Sequence, residues 1–271
     1  MIEPDDARAL GGIRAWITRA IGLRFDADQS ANLDARIDGA CRRLQLSPAR
    51  LLARLDSGDH AVATCVAEEV STNHTYFFRE PEMFAYVRTT VVPTLAQSGP
   101  LRVWSAACSS GEEAFSLAIA LSSELGAAAA RSRVRILGTD ISERQIRRAE
   151  RARYLPRQLT GLDGEQRAYF HPAGADEQTV RADVASMCVF RRLNLTSFPW
   201  PFQSRFHLIF LRNVLYYFDP PMRSRVLAAC AEVVEPGGWL ITSLTEPMVD
   251  QPPSWTAWEP GVYRRSTERA S

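Results

Sequence analysis

The sequence predicts an α/β fold: an open, doubly wound parallel sheet behind a small all-α N-terminal domain. Three observations predict it. From Leu101 onward, short apolar runs alternate with segments of helical periodicity, the pattern of a sheet with helices on both faces. Residues 1–70 lack that alternation and read as helices throughout. Finally, Val103-Trp-Ser-Ala-Ala-Cys-Ser-Ser-Gly-Glu-Glu-Ala-Phe-Ser-Leu-Ala-Ile-Ala-Leu121 reads as a strand, a tight loop of small residues and a helix opened by acids. In α/β sheets, ligands bind at such loops, against a helix N-terminus.

Composition narrows the setting. A chain of 271 residues has room for one large domain and one small one. Its formal net charge of +1 sets up no global field for nucleic acid. Every basic residue is arginine, which reads as coding bias, although arginine also favours planar carboxylate recognition. The cysteines (Cys41, Cys65, Cys108, Cys188, Cys230) are scattered, odd in number and without C-x-x-C spacing, which fits a reducing cytosol better than a disulfide framework or a zinc site. Met1 to Asp6 is acidic and has no apolar h-region, so no signal peptide is read. No apolar run approaches the ~20 residues that span a bilayer. His60, His74, His171 and His207 are too dispersed to suggest a metal site. The expectation is a cytoplasmic protein with no metal, no nucleic-acid partner and no membrane insertion.

The elements follow in order. Ala7 to Leu23 carries Leu10, Ile13, Trp16, Ile17 and Ile21 near helical spacing, and Asp28 to Leu46 continues with Leu33, Ile37, Cys41 and Leu44. Ser47-Pro48 is an N-cap with a first-turn proline, opening a short helix to Leu55. Gly58-Asp59 breaks it, and Ala61 to Val70 forms another. Residues 71–90 are polar, then aromatic; Tyr76, Phe77 and Phe78 in a polar connector read either as plain core or as a lid over a ligand. Strands are expected at 101–106, 134–139, 188–192, 206–211 and 238–244, with helices at 112–124, 142–152 and 220–233. Glu235-Pro-Gly-Gly238 reads as a sharp turn into the strand that follows. Residues 155–187 are polar and dotted with Gly and Pro, an insertion of loops, short helices and a possible hairpin, and Tyr263 to Thr267 reads as a final edge strand.

The chemistry begins in the loop after the first strand. Ala106, Ala107, Ser109, Ser110 and Gly111 let a ligand approach the backbone. The loop carries Glu112 and Glu113 and no Lys, so it is not a P-loop, and it lacks the G-x-G-x-x-G of dinucleotide binders. An acidic nucleoside pocket suits a ligand with a positive end, such as S-adenosylmethionine (SAM). Val134-Arg-Ile-Leu-Gly-Thr-Asp140 reads as a second buried strand ending in an acid placed for ribose hydroxyls. By itself Asp140 says nucleoside rather than methyl donor. Its plainer role is to cap the helix that follows, which Ser142 serves equally well.

Three motifs, in this order and spacing, resemble the chemotaxis-receptor glutamate methyltransferases, the CheR family: Thr72-Asn-His-Thr-Tyr-Phe-Phe-Arg-Glu80, Val103 to Glu113, and Phe206-His-Leu-Ile-Phe-Leu-Arg-Asn-Val-Leu-Tyr-Tyr-Phe-Asp219. The resemblance runs from about Ile13 to Tyr263. It implies a Rossmann-like, SAM-dependent methyltransferase sheet divided as a helical docking domain at 1–70, a linker at 71–90 that contributes to the cofactor site, and a catalytic domain at 91–271. It implies that Asn73, Thr75 and Arg79 touch the cofactor, that Glu112 holds the methionine ammonium and that Asp140 holds the ribose. It also implies that Asn194 and Leu195 lie at the adenine end, and Arg212 and Asn213 near the transferred methyl. The product cofactor is then S-adenosylhomocysteine, the reaction a glutamyl γ-methyl ester synthesis, and the partner the cytoplasmic helical bundle of a chemoreceptor. Two departures stand out. The insertion around Gly174 to Thr179 is short beside members with a full β-subdomain for tethering to a receptor's C-terminal peptide. Thr242-Ser-Leu-Thr-Glu246 lacks the G-H-S-E that many members show but keeps Glu246.

The missing Cys or His constellation agrees with this chemistry. A glutamate with a free pKa near ~4.3 is already ionised at neutral pH, so its methylation needs no general base, and catalysis rests on proximity and alignment. Tyr216, Tyr217 and Arg79 are candidates to orient it, and no single catalytic residue is assigned. A carboxylate-rich substrate also needs a basic docking face, for which Arg36, Arg42 and Arg43 are the candidates, with a solvated, acid-neutralised surface as the plain alternative. Competing functions are a SAM methyltransferase acting on another protein or a small molecule, and a non-catalytic adaptor. An adaptor would be expected to lose Glu112 or Asp140, and both are present.

Overall fold

The computed structural model describes residues 4–22, 30–71, 74–95, 99–246, 248 and 252–266. Four helices open the chain: α1 (Pro4–Ile21), α2 (Ser30–Leu44), α3 (Pro48–Asp56) and α4 (His60–Val70). In α1, Ala9, Ile13, Ile17 and Ile21 recur every fourth residue and are buried on one face. Leu33, Ile37 and Cys41 do the same in α2. Ser47 accepts the Arg50 N–H and Pro48 follows it, so α3 starts where Ser-Pro predicts. Asp59 caps α4 by accepting from Ala61 and Val62. α1 packs on α3, and α2 on α4.

The segment read as a linker is only partly one. Its second half folds as α5 (Pro81–Tyr86), which continues through a π-helical turn (Val87–Val91) into α6 (Val92–Leu95). Met83, Phe84, Val87 and Val91 are buried in the core over one face of the sheet.

After α6 come β1 (Leu101–Ala106), α7 (Glu112–Leu125), α8 (Ala127–Arg133), β2 (Val134–Asp140) and α9 (Glu143–Arg151). The insertion holds β3 (Arg153–Tyr154), α10 (Gly164–Arg167), β4 (Phe170–Pro172), β5 (Gln178–Val180) and α11 (Ala182–Ala185). The chain returns through β6 (Cys188–Arg192), β7 (Phe206–Leu211), α12 (Pro220–Val233), β8 (Val234–Ile241), β9 (Trp255–Glu259) and β10 (Val262–Arg265).

The main sheet runs β6-β2-β1-β7-β8-β10-β9. Its first five strands are parallel, and β10 runs antiparallel to both of its neighbours, β8 and β9. Counted along the chain this is the order 3-2-1-4-5-7-6, and the direction of winding switches between β1 and β7. Side chains alternate across the sheet: Val103, Leu208 and Phe210 belong to one core, Trp104, Ile209 and Leu211 to the other. The second core also takes in Ile13, Ile17, Ile37 and Leu51 of the helical module. The module therefore shares its core with the sheet rather than standing apart.

Two local expectations are revised and a third is extended. Glu235-Pro-Gly-Gly238 is not a turn before the strand; it lies inside β8, accommodated by a register shift between Phe206 and Leu208 on β7. β10 is not the edge, because β9, unread in the sequence, covers it; Thr267 lies outside the described residues. The insertion does contain a hairpin, β4-β5, and β3 from just before it pairs with β5 to make a three-stranded antiparallel sheet, β3-β5-β4.

Candidate active site

The cavity opens where α/β physics places it, at the C-terminal ends of β1, β2, β6 and β7 around the switch point. It encloses about 980 Å³ counted to its open mouth. Its floor is the loop after β1. Ala107, Ser109 and Gly111 are all left-handed there, with φ of 63°, 49° and 95°. At Gly111 no side chain fits: a Cβ would stand 2.8 Å from that of Ala149. Two non-glycine residues in this region carry strain that surrounding bonds must hold. The Cys108 N–H donates to Thr139 O at 2.8 Å, the Ser109 N–H to Asp140 Oδ2 at 2.9 Å, and the Tyr154 hydroxyl to Ser110 O at 2.7 Å.

Asp140 therefore does more than end β2. Oδ2 takes Ser109 N–H and Oδ1 takes Ser142 N–H at 2.9 Å, while Ser142 itself caps α9 by accepting from Gln145. Burial pushes the Asp140 carboxyl up against the pull of these amides. It lines the cavity with Ile141.

The adjacent acids opening α7 go separate ways, because neighbours on a helix point about 100° apart. Glu112 is fully buried and turned toward the insertion, accepting from Ser110 Oγ at 2.7 Å and Gln158 Nε2 at 3.2 Å. Burial raises its pKa to about 7. It is not among the cavity-lining residues, whereas Glu113 is. Glu113 accepts from Ser105 Oγ at 2.7 Å and from Arg212 Nη1 at 3.1 Å. Burial also raises the Glu113 pKa, opposed by Arg212.

Arg212 is the electrostatic centre. Its side chain is 1% exposed, set between Glu113 and Glu80, whose Oε1 lies 3.3 Å from Nη2. It also donates to Arg79 O, which ties the 74–80 segment to the sheet. Its Nε–H is buried with no partner among the described residues. Burial would raise Glu80, but Arg212, the Leu244 N–H and Ser243 Oγ outweigh it and hold its pKa below the usual range. Asn213, left-handed at φ 58°, is pinned by its N–H to Glu246, which also takes the Tyr216 N–H. Glu246 thus shapes the loop after β7.

The aromatic triplet divides. Phe77 is core, with Tyr154 and Phe170 edge-on at 4.8 and 5.1 Å, and Phe78 packs on Phe84. Tyr76 lines the cavity with Thr75, His74 and Arg79. Asn194 and Leu195 line the far end; Asn194 Nδ2 also donates to Ala20 O at 3.2 Å. Arg212 and Asn213 line it as well. Asn73 lies outside the described residues. The sequence reading passed over Glu113, Glu80, His74, Phe218, Ile21 and Ser71. The first three stood inside its motifs and Phe218 in the third; nothing signalled that Ile21 and Ser71, from the helical module, close the wall.

The docking arginines do not form one open face. Arg36 Nη1 donates to Val70 O at 3.2 Å and Ser71 O at 2.9 Å, capping the end of α4. Arg43 pairs with Glu68 at 2.8 Å and Glu69 at 3.2 Å. Arg42 is exposed and has no hydrogen-bond or ion-pair partner among the described residues. Among those residues, no group is placed to hold a metal, and no helix is long and apolar enough to cross a membrane.

A 3-2-1-4-5-7-6 sheet with an acid-lined cleft at its switch point defines a protein of the SAM-dependent methyltransferase class. Residues 73–260 match the family model "CheR methyltransferase, SAM binding domain", and the chain belongs to that family. A chemotaxis protein methyltransferase of Borreliella burgdorferi is 34% identical over 59% of this chain and 59% of its own length. Chemotaxis protein methyltransferase 1 of Pseudomonas aeruginosa is 26% identical over 93% and 96%. Chemotaxis protein methyltransferase Cher2 of Pseudomonas putida is 30% identical over 86% and 88%. Among solved structures, the N-methyltransferase NodS of Bradyrhizobium japonicum, complexed with S-adenosylhomocysteine, is similar at 16% identity over 60% of each chain, with a TM-score of 0.35. The cofactor is SAM, and the lining fits it: two acids for a cationic, ribose-bearing ligand, apolar walls at Ile141, Leu195 and Phe218, and an unsatisfied buried donor on Arg212.

Proposed function

We propose that this methyltransferase forms γ-methyl esters on glutamates of a chemoreceptor's cytoplasmic helical bundle. The carrying observation is at the cavity mouth. Arg79 has no carboxylate partner among the described residues; it donates to His74 O at 2.9 Å and lies 5.8 Å from the Tyr76 ring centre. Arg212, deeper in, is already held by two carboxylates. The mouth thus offers one cation to an incoming acid.

SAM supplies an electrophilic methyl on a sulfonium. The chain's own residues bind, align and desolvate. Glu113, rather than Glu112, takes the methionine ammonium, because it is the acid of the pair that faces the cavity. Asp140 takes the ribose with the lone pairs its backbone donors leave free, Asn194 and Leu195 take the adenine end, and Thr75 closes above. Arg79 and the Tyr217 hydroxyl orient the acceptor carboxylate, which arrives ionised and needs no base. A hold on that carboxylate tighter than this would stabilise its ground state and slow attack. Docking falls to the helical module through Arg42.

The test is labelled SAM with receptor cytoplasmic fragments, followed by mild alkali. Release of the label as methanol is the expected result; label that survives alkali contradicts ester formation.

A further inference from the structure

Among the described residues, Tyr76, Tyr216 and Leu244 are three of the five exposed large hydrophobic side chains, at 47%, 48% and 41%. They come from three distant segments, each tied either to the Arg79–Glu80 turn or to a cavity-lining neighbour. Tyr76 is at the cavity edge under Arg79. Tyr216 feels the Arg79 charge, and its ring lies 4.2 Å from that of the cavity-lining Tyr217, with the two hydroxyls 3.2 Å apart. The Leu244 N–H donates to Glu80 Oε2 at 3.1 Å, one residue from Arg79.

These side chains are held out in solvent by fixed backbone. Glu246 accepts the N–H groups of Asn213 and Tyr216, and Glu80 accepts that of Leu244. Apolar surface displayed this way marks a contact site. The charge pattern says what fits. Glu80 is committed to Arg212, and Arg79 is the cation within the ring that lacks a carboxylate partner among the described residues. One positive charge inside an apolar rim complements one carboxylate with apolar neighbours.

We infer that Tyr76, Tyr216 and Leu244 form an apolar rim that seats the side chains flanking the acceptor glutamate, and so help decide which glutamates of the substrate protein are methylated. The inference rests on the carboxylate-methylating reading above. The rim excludes water from the acceptor as it docks, which removes hydration the carboxylate must shed before attack.

The experiment compares the full chain with its Tyr216→Ser/Leu244→Ser variant. Each is assayed on a receptor cytoplasmic fragment and on the same fragment with the apolar residues flanking one acceptor replaced by serine. Wild type should use the original acceptor about tenfold better in kcat/KM than the serine-flanked one, and the variant should lose most of that preference, as for two sides of one contact. Affinity for S-adenosylhomocysteine, read by calorimetry, should be unchanged in the variant, which also reports that it is folded. Equal use of both acceptors by wild type overturns the rim, and needs no enzyme variant. So does a variant that keeps the preference, or one that loses cofactor affinity in parallel. Self-association of wild type that the variant abolishes, read by sedimentation, assigns the patch to a second copy and also overturns it. No alkali-labile methyl on any fragment is a different failure, that of the carboxylate reading itself.

Discussion

Glu112 and Glu113 share a peptide bond and little else. Glu113 faces the cavity and Arg212, whereas Glu112 is sealed against Ser110 and Gln158. Glu113→Gln should weaken S-adenosylhomocysteine binding by more than tenfold, or ~1.4 kcal/mol, about one hydrogen bond to a charged group. Glu112→Gln should leave it nearly unchanged; calorimetry showing the reverse would return the ammonium to Glu112. Glu112 has its own signature in pH. Its carboxyl is raised from 4.5 to about 7, so between those values the native state holds a proton the unfolded chain has lost. The stability this contributes is fully present below the unfolded value and is lost as pH rises through about 7, by roughly 3 kcal/mol in all. Glu112→Gln should remove that fall. Urea titrations from pH 5 to 8 in which the difference between variant and wild type stays constant would contradict it.

At the scale of elements, the helical module and the sheet are joined by side chains that cap helices across the boundary. Glu68, from α4, accepts the Arg144 N–H at 3.0 Å in the first turn of α9, the helix that starts just after Asp140. Arg36 closes the same C-terminal end of α4 from within the module and so fixes Ser71 at the cavity wall. Arg36→Ala should cost ~1–3 kcal/mol, because it strips a charged donor from carbonyls at a helix end, and should weaken cofactor binding several-fold. Arg42→Glu should change stability by no more than about 0.5 kcal/mol and leave cofactor affinity intact. It should nonetheless reduce receptor methylation, increasingly so at low salt, where exposed charges act furthest. Thermal melts with calorimetry separate the two; equal losses of cofactor affinity would erase the distinction.

For the whole molecule, the shared core decides what can be removed. Ile13, Ile17, Ile37 and Leu51 belong to the same buried cluster as Trp104, Ile209 and Leu211. A chain beginning at residue 71 would expose that face of the sheet and lose Ile21 from the cavity wall. It should lack a cooperative melt and cofactor binding, both of which circular dichroism and calorimetry report. A truncated chain that melts cooperatively and binds as tightly as wild type would show that the module docks without contributing to the core or the site.

Order and type of the main elements are determined by the sequence itself, because periodicity is a local property: isoleucines every fourth residue in α1, five apolar runs for the parallel strands, Ser47-Pro48 at a helix start. The loop after β1 and Asp140 at the end of β2 are equally legible, since a strand end fixes where an acid stands. The tertiary structure decided the rest. Which of two adjacent glutamates meets the cavity depends on how α7 is rotated against the sheet. Whether an arginine is free depends on partners such as Val70, Ser71 and Glu68, more than twenty residues from Arg36 and Arg43. The pairing of Arg212 with Glu80 and Glu113 joins three segments that meet only when β1 and β7 lie side by side. Local chemistry sets what each residue is able to do, and long-range packing sets what it faces.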